Sequence, residues 1–232
     1  MDWLGLGYVA DAHHRLFWLY LAASALIAVA VAYARPAYRA MLFDRKIWWH
    51  PSARLDYLYF PVVSLLKVAA VAPLVLGANE MAQATVRLLH AAAGYRAPLA
   101  WDRDVIAALF TLTLFLVSDV TRYGLHRLLH TVPLLWRFHA VHHSAEALNP
   151  LTFYRVHPVE NFLFGWRYAL SAGAVTGVFV YLFGARLGIV EIAGVNALVF
   201  AFDVLGANLR HTHVPLRFAL HASAAPYPRG DA

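Results

Sequence analysis

The run VIAALFTLTLFLVSDVT, residues 105–121, passes without a break into RYGLHRLLH, residues 122–130. An apolar stretch of that length suits a helix crossing a hydrocarbon core of ~30 Å. His126 and His130 are four residues apart, so they share one face of the same helix where it leaves the apolar layer. Asp119 lies seven residues before His126, two turns back on that face. A single helix is therefore expected to cross lipid and to present two imidazoles at its mouth. That pairing points to an all-α, polytopic membrane bundle with a metal site on a helical cap.

Working outward, four further apolar runs fit that reading. Residues 16–34 are bounded by Arg15 and by Arg35-Pro36; no basic region precedes them, which argues against a cleaved signal. Residues 58–77 contain Lys67 and two prolines, so a kink is expected there. Residues 168–183 and 188–206 are separated by only four residues, the spacing of a tight membrane hairpin. Residues 82–93 are apolar but short and read as an interfacial segment. The total is four to five spans in one integral membrane domain covering 1–232, with 122–167 and 207–232 forming the metal-bearing layer.

The composition agrees. The chain is 61% hydrophobic and 14% charged, with mean hydropathy +0.56, against about 25% charged in ordinary soluble domains. Cysteine is absent, which excludes disulfides and thiolate metal sites and leaves nitrogen and oxygen donors. The net charge of +6 comes from basic residues flanking apolar runs, so it points to lipid headgroups and not to nucleic acid. Arg35, Arg39, Arg45, Lys46 and Arg54 follow the first run. Arg122, Arg127, Arg137, Arg155 and Arg167 follow the third. Both groups fall on one side, which is expected to be cytoplasmic.

Thirteen histidines are the anomaly. After His126 and His130 comes FHAVHHS, with His139, His142 and His143 at helical spacings of three and four, and Pro133 between the clusters supplies a turn. Neutral imidazole suits iron, zinc and copper. Five histidines within 18 residues exceed the needs of one tetrahedral metal, and two metals explain the surplus better. A lone histidine is usually structural, and His13, His14, His50 and His90 are read that way. A b-type haem would take histidines from facing spans inside the bilayer, and a metal transporter would want polar ligands near the midplane. Neither pattern is present.

HxxxH at His126 and His130, then HxxHH at His139, His142 and His143, resembles the first two boxes of the fatty acid hydroxylase (sterol desaturase) superfamily. The flanks agree: Asp119, Tyr123 and Arg127 around the first box, and Trp136-Arg137-Phe138 before the second. NPLTFYRVHPVE, residues 149–160, is similar to a bacterial branch, as is NLRHTH, residues 208–213. The likeness covers residues 55–216. It implies two irons that activate dioxygen and take hydrogen from an unactivated C–H bond of a fatty acyl, sterol or related lipid drawn from the bilayer. It also implies an external electron donor of cytochrome b5 or ferredoxin type. The metal ligands it implies are His126, His130, His139, His142, His143, His157 and His211, in a bacterial inner membrane with the histidines facing the cytoplasm. The same donors would accept zinc on isolation.

Several residues carry paired expectations. Glu160 is expected either to orient the ligand His157 or to pair with Arg155 in a solvated loop. Asp119 is expected to contact a histidine or to bridge to Arg122, and Asp203 to do the same or to bridge to Arg210. The family pattern has another HxxHH near the C-terminus; residues 217–232 are instead small, Pro-rich and atypical, which reads as a truncated or frameshifted tail. Two irons on the family's plan need roughly eight protein ligands. An inactive, metal-binding member is therefore the alternative expectation.

Overall fold

A computed structural model of the chain describes residues 4–35, 39–42, 44–75, 77–184, 187–206 and 208. His211, His213, Arg210 and the atypical tail lie outside the described residues. The described elements are α1 (Trp18–Ala34), the short helices α2 (Arg39–Leu42) and α3 (Arg45–Trp48), α4 (Pro51–Leu66), α5 (Ala78–Ala93), α6 (Arg103–Thr131), α7 (Pro133–His143), α8 (Pro158–Phe183), a two-stranded hairpin of β1 (Glu191–Ile192) and β2 (Val195–Asn196), and α9 (Ala197–Val204).

Among the described residues, three helical stretches are long and apolar enough to cross a membrane: Pro51–Ala93, Arg103–Thr131 and Pro158–Phe183. α1 is apolar but shorter, at 17 residues. On α6 the side chains of Val105, Leu109, Leu112, Leu116 and Val120 are exposed, which makes an outward apolar stripe at helical spacing. α4 presents Leu58, Val62 and Leu65 likewise. Such a surface has a suitable solvent only in lipid or against another apolar face.

The Pro51–Ala93 stretch changes its helical winding halfway. α4 tolerates Pro61, then gives way to a π-helical turn at Lys67–Val71 and a 3-10 turn at Ala72–Leu74. α5 resumes and runs alongside α8. Gly173 and Gly177 let the two backbones touch: a Cβ on Gly173 would sit 2.8 Å from the Ala78 carbonyl oxygen, and one on Gly177 2.6 Å from that of Ala82. Residues 82–93 are thus part of a bundle helix and not a separate interfacial segment. α8 also packs on α6, where Phe110 meets Phe179 and Arg167 Nη1 donates to the Ser118 carbonyl and to Thr121 Oγ1.

The fifth apolar run is not a single span. Residues 188–206 fold as the hairpin and then α9, which has eight residues, or about 12 Å of helix at ~1.5 Å per residue. Ala193 and Gly194 both have positive φ, 52° and 77°, the turn chemistry of a tight hairpin and not of a helix. Asn196 then caps α9, accepting from Leu198 N and Val199 N. The segment leans on α6 through Thr111, whose Oγ1 accepts from Val190 N while its carbonyl accepts from Asn196 Nδ2.

The polar end of the bundle gathers the end of α6, α7, the 144–157 segment, and the starts of α8 and α4. Val132 is extended (φ −94°, ψ 116°) because Pro133 follows it, and that one residue breaks the helix between α6 and α7.

Candidate metal centre

The break at Val132 folds α7 back so that the two histidine boxes meet. His126 Nε2 and His130 Nε2 are 3.2 Å apart, and so are His139 Nε2 and His143 Nε2. Ring centroids of His139 lie 4.9, 4.8 and 4.8 Å from those of His126, His130 and His143, and His130 lies 4.8 Å from His143. Ligand atoms of His126, His130 and His139 all fall within 4.8 Å of one another. Two imidazoles bound to one metal at ~2.1 Å and roughly 90–110° apart would hold their nitrogens about 3.0–3.4 Å from each other. The observed spacing therefore fits a shared ion, and the donor set suits iron or zinc. His142 stands apart: it stacks on His139 at 5.6 Å and lies against the Arg155 backbone.

Protonation favours ligation. Burial, reinforced by the neighbouring imidazoles, holds His139 down at about 3. Burial and then His143 bring His142 to about 4, and His143 is lowered by burial and by His130. These rings stay neutral at physiological pH, which is the form that binds metal.

His139 is the hub, 1% exposed, and its outer nitrogen Nδ1 lies 3.1 Å from Glu160 Oε1, though without hydrogen-bond alignment. Glu160 is buried at the start of α8. A carboxylate behind a ligating histidine favours the tautomer whose Nε2 lone pair faces the metal. Both sequence expectations for Glu160 therefore change: it partners neither His157 nor Arg155. Arg155 is itself buried, on Asp56.

His157 caps α8, its Nδ1 accepting from Val159 N at 3.1 Å, and its ring packs on Phe138 at 4.9 Å. A neutral imidazole accepting at Nδ1 carries its hydrogen on Nε2, so this cap and ligation through Nε2 exclude each other. Asp119 is exposed, and no hydrogen bond or ion pair joins it to a histidine or to Arg122 among the described residues. Its helix face matches that of His126, but two turns of rise separate them. Asp203 lies on α9 near Tyr20, not at the cluster. His50 caps α4, His14 stacks on Tyr8 and His90 sits beside Tyr181, each in a structural setting.

Asp56 escaped the sequence reading. It is 1% exposed and joined to Arg155, Asn149 and Thr152. Its only signal was an acid in an otherwise weakly polar helix.

With this geometry in view, residues 111–224 match the family model described as fatty acid hydroxylase. That stretch, just under half of the chain, is similar to the family's domain. No curated protein and no solved structure matches it. The likeness points to an oxidoreductase of lipid hydroxylase or desaturase type, and the long apolar helices point to an integral membrane protein. The family's use of iron is consistent with the three-histidine group of α6 and α7.

Proposed function

We propose that this protein is a di-iron, dioxygen-dependent membrane oxidoreductase that hydroxylates or desaturates a C–H bond of a fatty acyl, sterol or related lipid in lipid biosynthesis. The observation that supports it most is the convergence of imidazole nitrogens from two separate boxes, paired at 3.2 Å on both α6 and α7, in a chain similar to this family. Iron, when bound, supplies dioxygen activation and the removal of hydrogen from an unactivated C–H bond.

The chain's own residues do the rest. His126, His130, His139 and His143 would hold one ion. His142 is the described residue best placed to start a second set, which His211 would extend. Glu160 lies 3.1 Å behind the outer nitrogen of His139, where a carboxylate would favour the ligating tautomer. The apolar faces of α4 and α6 let a lipid chain approach the polar end from the bilayer. Electrons come from a separate protein of cytochrome b5 or ferredoxin type. The arginine-rich loops favour a cytoplasmic placement of the histidine end, in a bacterial inner membrane.

Metal analysis and a visible spectrum of detergent-purified protein test this. Two irons per chain, no Soret band, and dioxygen-dependent oxidation of added lipid that is lost in His142→Ala are expected. One zinc per chain with no turnover would replace the enzyme with a metal-binding member. A Soret band would remove both.

A further inference from the structure

Asp56 lies outside the stretch that matches the family, 55 residues before its start at 111, yet it is locked to the segment that follows the second histidine box. Its Oδ1 accepts from Arg155 Nε at 2.6 Å. Its Oδ2 accepts from Asn149 Nδ2 at 2.8 Å and from Thr152 Oγ1 at 2.7 Å. Arg155, 3% exposed, continues the network. Its Nη2 donates to the Ser52 carbonyl and to Ser52 Oγ, and its Nη1 reaches Ser144 Oγ at 3.4 Å. Ser52 Oγ also accepts from Glu146 N at 3.1 Å. One turn of α4, Ser52 to Asp56, thereby grips both ends of the 144–155 segment. That segment begins directly after His143, and the Arg155 backbone lies against His142.

Stability alone explains this arrangement poorly. A buried ion pair gains little over apolar residues of the same volume, because desolvation cancels much of the attraction. It adds direction: a planar guanidinium and a carboxylate, each with further hydrogen bonds, fix orientation in a way apolar contact does not. We propose that the Asp56–Arg155 pair is a positioning device that sets His142 for metal binding, so that α4 is a working part of the metal site. Neither residue touches the metal. The inference rests on the reading of the histidines as metal ligands.

Cobalt(II) titration of the metal-stripped, detergent-solubilised full chain tests it, with chelator competition, visible absorption and thermal melting as readouts. His142→Ala is the reference. Asp56→Asn is expected to lower cobalt affinity by ~10-fold or more, the scale of lost outer-sphere support, and to shift the spectrum as His142→Ala does. The double variant Asp56→Leu/Arg155→Met restores an apolar contact. It is expected to regain the parent's melting temperature without regaining its cobalt affinity or spectrum.

A double variant with the parent's affinity and spectrum would reduce the pair to packing and overturn the proposal. So would an Asp56→Asn protein that melts earlier but binds cobalt unchanged. If neither variant accumulates, Thr152→Val, which removes a single bond to Asp56, decides. A smaller shift in the same direction supports the proposal, and unchanged affinity ends it. A parent chain that binds no cobalt, iron or zinc would instead sink the metal reading itself, and this inference with it.

Discussion

The two ends of the bundle are built on different principles. At the histidine end, position is set by directional bonds: Asp56 to Arg155, Asn149 and Thr152, and the capping histidines His50 and His157. Along the α5–α8 crossing, position is set by size, because Gly173 and Gly177 leave no room for a side chain. The contrast teaches that a metal site needs rings aimed to within tenths of an ångström, whereas a lipid-embedded crossing needs only close fit. Polar groups are costly in the bilayer and are concentrated where they direct chemistry.

Substitutions separate the two principles. The largest effect is expected from His139→Ala, which removes the ring that meets His126, His130 and His143. Metal content should fall by more than the ~10–100-fold typical of losing an outer partner, read by metal analysis after desalting, while the helical signal in circular dichroism persists. Gly177→Leu should do the reverse. Overpacking against Thr85 and the Ala82 carbonyl should cost about 1–3 kcal/mol or more, seen as a lower melting temperature in detergent, with metal affinity retained below the melt. A variant that lost both together would show that the two ends are coupled.

Glu160→Gln keeps the volume but replaces the carboxyl group behind His139 with an amide. A ~10-fold or greater loss of metal affinity with little change in melting is expected, and unchanged affinity would make Glu160 a mere filler. The pH dependence follows from His139 at about 3 and His142 at about 4, both below the ordinary value of 6.5. Between those values and 6.5 the unfolded chain binds more protons than the folded one. The contribution of these two rings should therefore be full above pH 6.5 and be lost progressively as pH falls toward 4. Bound metal should raise stability across this range, because it binds only the folded arrangement. The smallest effect belongs to Asp119→Asn. The exposed side chain should leave metal content and melting unchanged, and a loss of metal would restore the second-sphere role that its spacing suggested.

The histidine boxes were legible because helical spacing is local: residues three and four apart must share a face wherever the helix lies. The apolar stretches of α6 and α8 were legible for a similar reason. The 188–206 run misled because hydropathy records how apolar a segment is and not its backbone path. The turn at Ala193-Gly194 folds it into a hairpin against Thr111. The Gly173–Gly177 spacing stood in the sequence, but its partner on α5 did not. Glu160 could be flagged as an orienting group, yet its target, His139, is 21 residues away.

What the sequence determined by itself is the chemistry available: a lipid-compatible helical chain with neutral nitrogen donors and no thiolate, five of them at one end of a span. What only the tertiary structure decided is the pairing. His139 took Glu160, Arg155 took Asp56 across 99 residues, and His157 took the cap of its own helix. The reason is physical. Periodicity follows from covalent geometry within a helix, whereas a buried charge chooses its partner only when packing has removed water and left one group within reach.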